Sequence, residues 1–185
     1  MGSLSDFQQQ IVIGCILGDG YMRKKTNAHL QIAHSIKQKE YVDWKYRALK
    51  DLVLTPPKPY KGNGGRIGYR FFTRSLPQLT FYHDLFYINK LKVISNVLDL
   101  KPLTLAVWYM DDGTKSYRSM YLNTQKFDTK SQENLIISLS KIGIRSNLNR
   151  DKKYKRIRIT TESARIFSEL VKPYILKDLL YKIPI

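Results

Sequence analysis

Two stretches of the chain are apolar on every side and end alike. The first, Ile11-Val12-Ile13-Gly14-Cys15-Ile16-Leu17, runs into Gly18-Asp19-Gly20. The second, Leu103-Thr104-Leu105-Ala106-Val107-Trp108-Tyr109-Met110, runs into Asp111-Asp112-Gly113. Ser5 with Gln8 predicts a capping box ahead of the first helix, and Pro102 fits the first turn of the second. After each Asp-Gly the hydrophobic period switches in the same order: a hairpin, an amphipathic helix, a second hairpin and a third helix. In the first half this predicts strands near 20 to 25 and 28 to 35, a helix over 38 to 53, and strands near 58 to 61 and 66 to 73 around the turn at 61 to 65. In the second half it predicts strands near 114 to 118 and 119 to 126 and a helix from an Asp128 or Thr129 cap to 142. Strands near 145 to 150 and 154 to 161 follow, with Thr161 capping a last helix. The expectation is an α+β pseudo-dimer of two αββαββα halves, residues 1–95 and 96–185, neither stable alone because each needs the other to cover its helix face.

Strand alternation assigns the outward faces. In the strand 154 to 160, Ile157 and Ile159 point inward, leaving Tyr154, Arg156, Arg158 and Thr160 outward. Ile67, Tyr69 and Phe71 share a side that leaves Arg66 and Arg70 opposite. His29 and Gln31, Asn123 and Gln125, and Arg145, Asn147 and Asn149 around the inward Leu148 complete the outward set. Tyr121 and the hairpin residues Arg23, Lys24, Lys25, Arg150, Lys152 and Lys153 extend it. Arg, Lys, Asn and Gln are the side chains that read base edges in the major groove, and a two-stranded ribbon is slim enough to enter it. For any one of these residues, a solvated sheet face is an equally good account. The repetition over four hairpins favours DNA.

Composition sharpens this. With 43% hydrophobic residues the chain can bury a core, and 32 Lys plus Arg against 15 Asp plus Glu leave a formal charge of +17, which calls for a polyanionic partner. No apolar run reaches the roughly 18 residues of a spanning helix, and the basic residues are spread along the chain, so a membrane partner is not expected. A single cysteine, Cys15, excludes an internal disulfide and a cysteine metal site, which suits an intracellular protein. The three histidines, His29, His34 and His83, form no nuclease-like constellation in sequence; surface or sheet roles are expected for them, with His29 a candidate DNA contact.

The two Asp-Gly sequences carry the candidate chemistry. A carboxylate at a helix C-terminus is opposed by the macrodipole, and a divalent cation relieves that conflict, helped by the carbonyls left open at a helix end. A lone Asp-Gly is more often a turn; finding it twice, after two equivalent apolar helices, argues against the bland account. If the helices pack side by side, with Gly14, Gly18 and Ala106 permitting close approach, Asp19 and Asp112 meet. Hard oxygen ligands favour Mg²⁺ over zinc.

The segments GCILGDGY and LAVWYMDDGTK resemble two copies of the LAGLIDADG motif, and the likeness to single-chain homing endonucleases runs over nearly the whole sequence. TPPKPY, YLNTQKFD and VKPYILKDLLYKIP extend it to the mitochondrial intron-encoded members. The resemblance implies a saddle of two β-sheets over double-stranded DNA, action as a monomer in a mitochondrion or other organelle, and metal-dependent cleavage of one phosphodiester per strand with short 3′ overhangs. It further implies Mg²⁺ as the ion, Mn²⁺ as a substitute, and Ca²⁺ as binding without supporting cleavage. By the same likeness Asp19 and Asp112 hold metal, Gly18 and Asp111 lend backbone carbonyls, and Lys92 (KLKVIS) and Lys182 (LLYKIP) stand near the scissile phosphates. Leu17 and Met110 replace the motif's first aspartate, and Val107 and Asp111 stand where it has small residues. Two alternatives share this scaffold: a splicing maturase that binds intron RNA, and a cleavage-dead DNA-binding protein.

Overall fold

In the computed structural model, residues 3–117 and 119–183 are described, so Arg118, at the end of one expected strand, lies outside them. The chain divides into two compact units, Met1–Asp84 and Leu85–Ile185. The expected division at 95/96 falls beyond this break, which lies inside a helix.

The first unit begins with α1 (Asp6–Leu17), whose capping box is complete: Gln8 N–H donates to Ser5 Oγ at 3.2 Å and Ser5 N–H to Gln8 Oε1 at 3.1 Å. There follow β1 (Tyr21–Lys24), β2 (Ala28–Ser35), α2 (Lys39–Ala48), β3 (Lys58–Lys61), β4 (Ile67–Phe72) and α3 (Pro77–Phe86). The four strands form an antiparallel sheet in the order β1-β2-β4-β3, with α2 packed on β2 and β4. In β2 burial alternates without a break: Ala28, Leu30, Ile32 and His34 inward, His29, Gln31 and Ala33 outward. Ile67, expected inward with Tyr69 and Phe71, is instead 53% exposed. It pairs with Lys61 at the open tip of the β3–β4 hairpin, at the far end from Phe71.

The second unit starts with a ribbon the hydrophobic pattern does not announce, β5 (Tyr87–Ile88) and β6 (Leu91–Lys92). It continues with α4 (Pro102–Asp112), β7 (Gly113–Ser116), β8 (Ser119–Leu122), α5 (Thr129–Lys141), β9 (Ser146–Asp151), β10 (Tyr154–Ile159) and α6 (Thr161–Val171). Its sheet, β7-β8-β10-β9, repeats the order of the first. The expected repeat of helices and hairpins is therefore present in both halves, and the α+β class holds. Register is enforced by burial: Ile157, Ile159 and Leu122 are fully buried, so a one-residue slip would expose them and bury Arg156 and Arg158. Tyr109 of α4 meets Phe167 of α6 edge-to-face, with ring centres 5.4 Å apart. The helix expected over 38 to 53 stops at Ala48, with a separate 3₁₀ turn at Lys50–Leu52, and two other departures from the expected boundaries have a visible cause. The residue capping α6 is Thr160, in extended backbone, not Thr161. Strand β8 stops at Leu122 instead of reaching 126, because Gln132 on α5 donates to the Thr124 carbonyl at 2.7 Å and Phe127 N–H turns back to it.

Candidate functional site

Each unit places its Asp-Gly at the foot of a buried helix, with different local geometry. Helix α1 ends at Leu17, so Asp19 lies two residues beyond it in a turn; Gly18 N–H bonds Gly14 O at 3.0 Å and Gly20 N–H bonds Cys15 O at 2.7 Å. Asp112 is the last residue of α4, with Gly113 N–H bonded to Tyr109 O. Both glycines are demanded by close approach: a Cβ on Gly20 would lie 2.7 Å from Cys15 O, and one on Gly113 2.3 Å from Tyr109 O.

In the first unit Asp19 has a side chain 38% exposed and opens onto a concavity of about 930 Å³, lined also by His34, Ser35, Tyr60 and Arg66. The outward face of this sheet carries Arg23, His29, Gln31 and Arg70. The guanidinium of Arg70 lies 4.2 Å over the Tyr60 ring and 5.2 Å from that of Phe72, which fixes its plane. Burial, and secondarily the charge of Arg23, hold His29 below the usual imidazole range, so at neutral pH it presents one donor and one acceptor. Lys25 and Arg66 are exposed, whereas Lys24 is engaged by Asp84 at 2.7 Å.

In the second unit the outward residues form cross-strand rows. Tyr121 faces Arg158, which faces Asn147, and Arg156 faces Asn149. Arg156 stacks 4.1 Å over the Tyr121 ring and donates to Asn123 Oδ1 at 3.3 Å, while Arg158 donates twice to Ser119 Oγ at 3.0 and 3.2 Å. Gln125 is held by Asp151 at 2.8 Å. Arg145, Arg150, Lys152, Lys153 and Tyr154 are exposed around the β9–β10 hairpin, with Arg150 Nε donating to the Lys152 carbonyl at 3.0 Å. The row reaches the helix end, since Asn123 N–H bonds Asp112 O at 3.0 Å. Lys182, on the 3₁₀ turn Lys177–Lys182, comes to the same place: its Nζ donates to Met110 O at 2.6 Å and lies 3.4 Å from Asp111 O. A cation there complements the helix macrodipole beside the two carboxylates. Lys92 is half-buried on β6, paired with Tyr87.

These donors suit a hard cation held lightly. Among the described residues no three His, Cys, Asp or Glu side chains cluster. An ion at Asp19 or Asp112 would therefore take most of its ligands from backbone carbonyls, water and phosphate oxygens, as Mg²⁺ does.

Residues 9–167 match the sequence model of the LAGLIDADG DNA endonuclease family. The chain belongs to that family. Over 98% of its length it is 32% identical to "Probable intron-encoded endonuclease 1" of Wickerhamomyces canadensis, covering 85% of that protein. It is also 27% identical over 94% of its length to the cytochrome b mRNA maturase bI2 of Debaryomyces hansenii, covering 72% of that protein. Among solved structures, the homing endonuclease I-WcaI bound to its DNA recognition sequence is similar over 100% of this chain and 88% of that one, with a TM-score of 0.91 and 29% identity.

One feature of this LAGLIDADG chain escapes the sequence reading. His34, given only a surface or sheet role, is buried on β2 with Nδ1 3.8 Å from Asp19 Oδ2, and its Nε2 lies 3.1 Å from Nζ of the fully buried Lys45. Lysine is ordinarily read as solvent-facing. The available signal is helical spacing: Lys45 sits four residues after Tyr41, three after Val42 and four before Leu49, all buried, and so on the apolar face of α2.

Proposed function

We propose that this chain is a site-specific homing endonuclease that binds a long double-stranded DNA target through the outward faces of its two four-stranded sheets and hydrolyses one phosphodiester in each strand, leaving short 3′ overhangs. One observation carries the reading. In each half, an aspartate at the end of a buried helix or two residues past it is contiguous with a sheet face of Arg, Asn, Gln or Tyr. Asp19 and Asp112 would hold the metal ions, aided by the carbonyls of Gly18 and Asp111. The ion is Mg²⁺, with Mn²⁺ as a substitute and Ca²⁺ as a binding but non-supporting ion. When bound, such ions activate water and stabilise the leaving oxygen of an in-line displacement. Lys182, already at the α4 terminus, supplies positive charge where the phosphate approaches; Lys92 is assigned the corresponding role from its local sequence match. Stacked Arg70 and Arg156 present fixed guanidinium planes for bidentate contacts to phosphate or guanine. The protein acts as a monomer, and the likeness to the cytochrome b maturase supports a mitochondrial or other organellar setting.

That same likeness favours a second reading, an intron splicing maturase that binds RNA. One experiment separates them. Incubation with a plasmid library of random inserts in Mg²⁺ gives discrete linear products, and Asp19→Asn or Asp112→Asn abolishes them while leaving most of the DNA binding, whose contacts lie elsewhere. Tight binding to intron RNA with no linearisation of any plasmid would overturn the endonuclease reading in favour of the maturase.

A further inference from the structure

Lys45 has no solvent exposure at all. A charged ammonium removed from water is costly unless its contacts compensate, so the groups around it are informative. Its Nζ lies 4.1 Å from the centre of the Tyr41 ring and 3.1 Å from His34 Nε2, and the Tyr41 and His34 rings are 5.2 Å apart. With Lys45 as an ammonium, which has three donors and no acceptor, Nε2 would accept from it and the imidazole proton would reside on Nδ1, the nitrogen 3.8 Å from Asp19 Oδ2. That distance is in ion-pair range and just beyond a direct hydrogen bond.

The second half builds the same place differently. Tyr21 and Thr114, each two residues after its aspartate, pair with Gln31 and Tyr121; counting three residues onward along the chain from those partners gives His34 on β2 in one half and Thr124, just past the end of β8, in the other. Thr124 is also fully buried and also meets the following helix, but through a neutral amide: Gln132 Nε2 lies 3.3 Å from its Oγ1 and 2.7 Å from its carbonyl.

We propose that Lys45 is a positioning residue for the Asp19 half-site alone: it fixes His34 as the Nδ1–H tautomer, and His34 in turn orients the Asp19 carboxylate by side-chain rotation or one bridging water. The inference rests on the endonuclease reading for its effect on cleavage, but not for its effect on the histidine. Groups that orient a metal ligand from behind typically change affinity or activity by about 10- to 100-fold.

The test begins with the unmodified protein. Nitrogen-resolved histidine spectra of the metal-free full chain at neutral pH should show His34 protonated at Nδ1 only, and Lys45→Met should move the proton wholly or partly to Nε2. A wild-type His34 protonated at Nε2, or at both nitrogens, overturns the proposal whether or not any variant folds. On supercoiled plasmid bearing the target, Lys45→Met should slow one strand about tenfold, so that nicked circles accumulate. Equal slowing of both strands overturns the half-site assignment. His34→Gln supplies an N–H toward Asp19 that needs no lysine; in that background Lys45→Met should change the rate by less than about twofold. Rates are compared per folded molecule, because Lys45→Met takes the ammonium donor from the buried His34 Nε2 and should lower the melting temperature. If the wild-type protein never cuts DNA, the endonuclease reading fails while the spectra still decide whether Lys45 sets His34.

Discussion

Glycine follows each aspartate because the last turn of the preceding helix leaves no room for a side chain. At Gly113 the obstruction is severe: a Cβ would meet Tyr109 Cδ2 at 2.2 Å as well as the Tyr109 carbonyl. Tyr109 cannot yield cheaply, since it is fully buried, packs on Phe167, and donates its hydroxyl to the Lys182 carbonyl at 2.7 Å. Gly113→Ala must therefore push β7 away from α4 and carry Asp112 with it. We expect a loss of about 1 to 3 kcal/mol in urea denaturation, the usual range for overpacking, together with impaired cleavage. A change within about 0.5 kcal/mol, the scatter of ordinary surface substitutions, would refute the steric argument. Such residues are legible in the sequence because the Asp-Gly pair recurs after two similar apolar runs. Lys45 and His34 are legible only as positions on buried faces, by helical spacing and strand alternation; that they meet each other beside Asp19 is a tertiary contact no local pattern reports.

The elements are legible to the extent that their signals are local. The capping box of α1 is written in Ser5 and Gln8, and both of its hydrogen bonds are present. The outward faces follow from alternation wherever a helix covers the other side, as on β2 and β10. Legibility fails where tertiary contacts decide. Ile67 belongs to the apolar side of β4 by parity, yet its place at the hairpin tip leaves it exposed. Strand β8 ends early because Gln132, ten residues after Leu122, claims the Thr124 carbonyl. The capping argument yields its own expectation. Ser5→Ala removes the acceptor for Gln8 N–H at the end of α1 opposite to Asp19, so it should cost about 1 kcal/mol of stability and leave cleavage per folded molecule unchanged. Denaturation curves paired with rates normalised to folded protein check both parts. A fall in the normalised rate would mean that the two ends of α1 are coupled.

At the scale of the whole molecule, the count of 32 Lys plus Arg overstates what is free to meet a polyanion. Some cations are already matched: Lys24 by Asp84 at 2.7 Å, Lys39 by Asp43, and Arg165 by Glu169 at 2.8 Å. Others point from the sheet faces with neutral partners among the described residues, as Arg156 does between Tyr121 and Asn123. Binding driven by counterion release should register this difference. The slope of log K against log salt falls by about one when a phosphate-contacting cation is removed, whereas removing a cation that folding has already paired changes it little. Arg156→Gln should accordingly lower the slope by about one, or, if its guanidinium reads a base, relax sequence preference at one position of the target instead. Lys24→Gln should do neither to a comparable degree, because Asp84 offsets its charge before DNA arrives. The sign for Asp84 is consistent: hydrogen bonds from Lys24 and then His83 hold its carboxyl below the usual range, so the pair is intact at neutral pH and is lost only as acid protonates Asp84. Fluorescence anisotropy over a salt series on target and scrambled duplexes measures both quantities, and equal slope changes for the two variants would show that the pairing in the free protein does not survive on DNA.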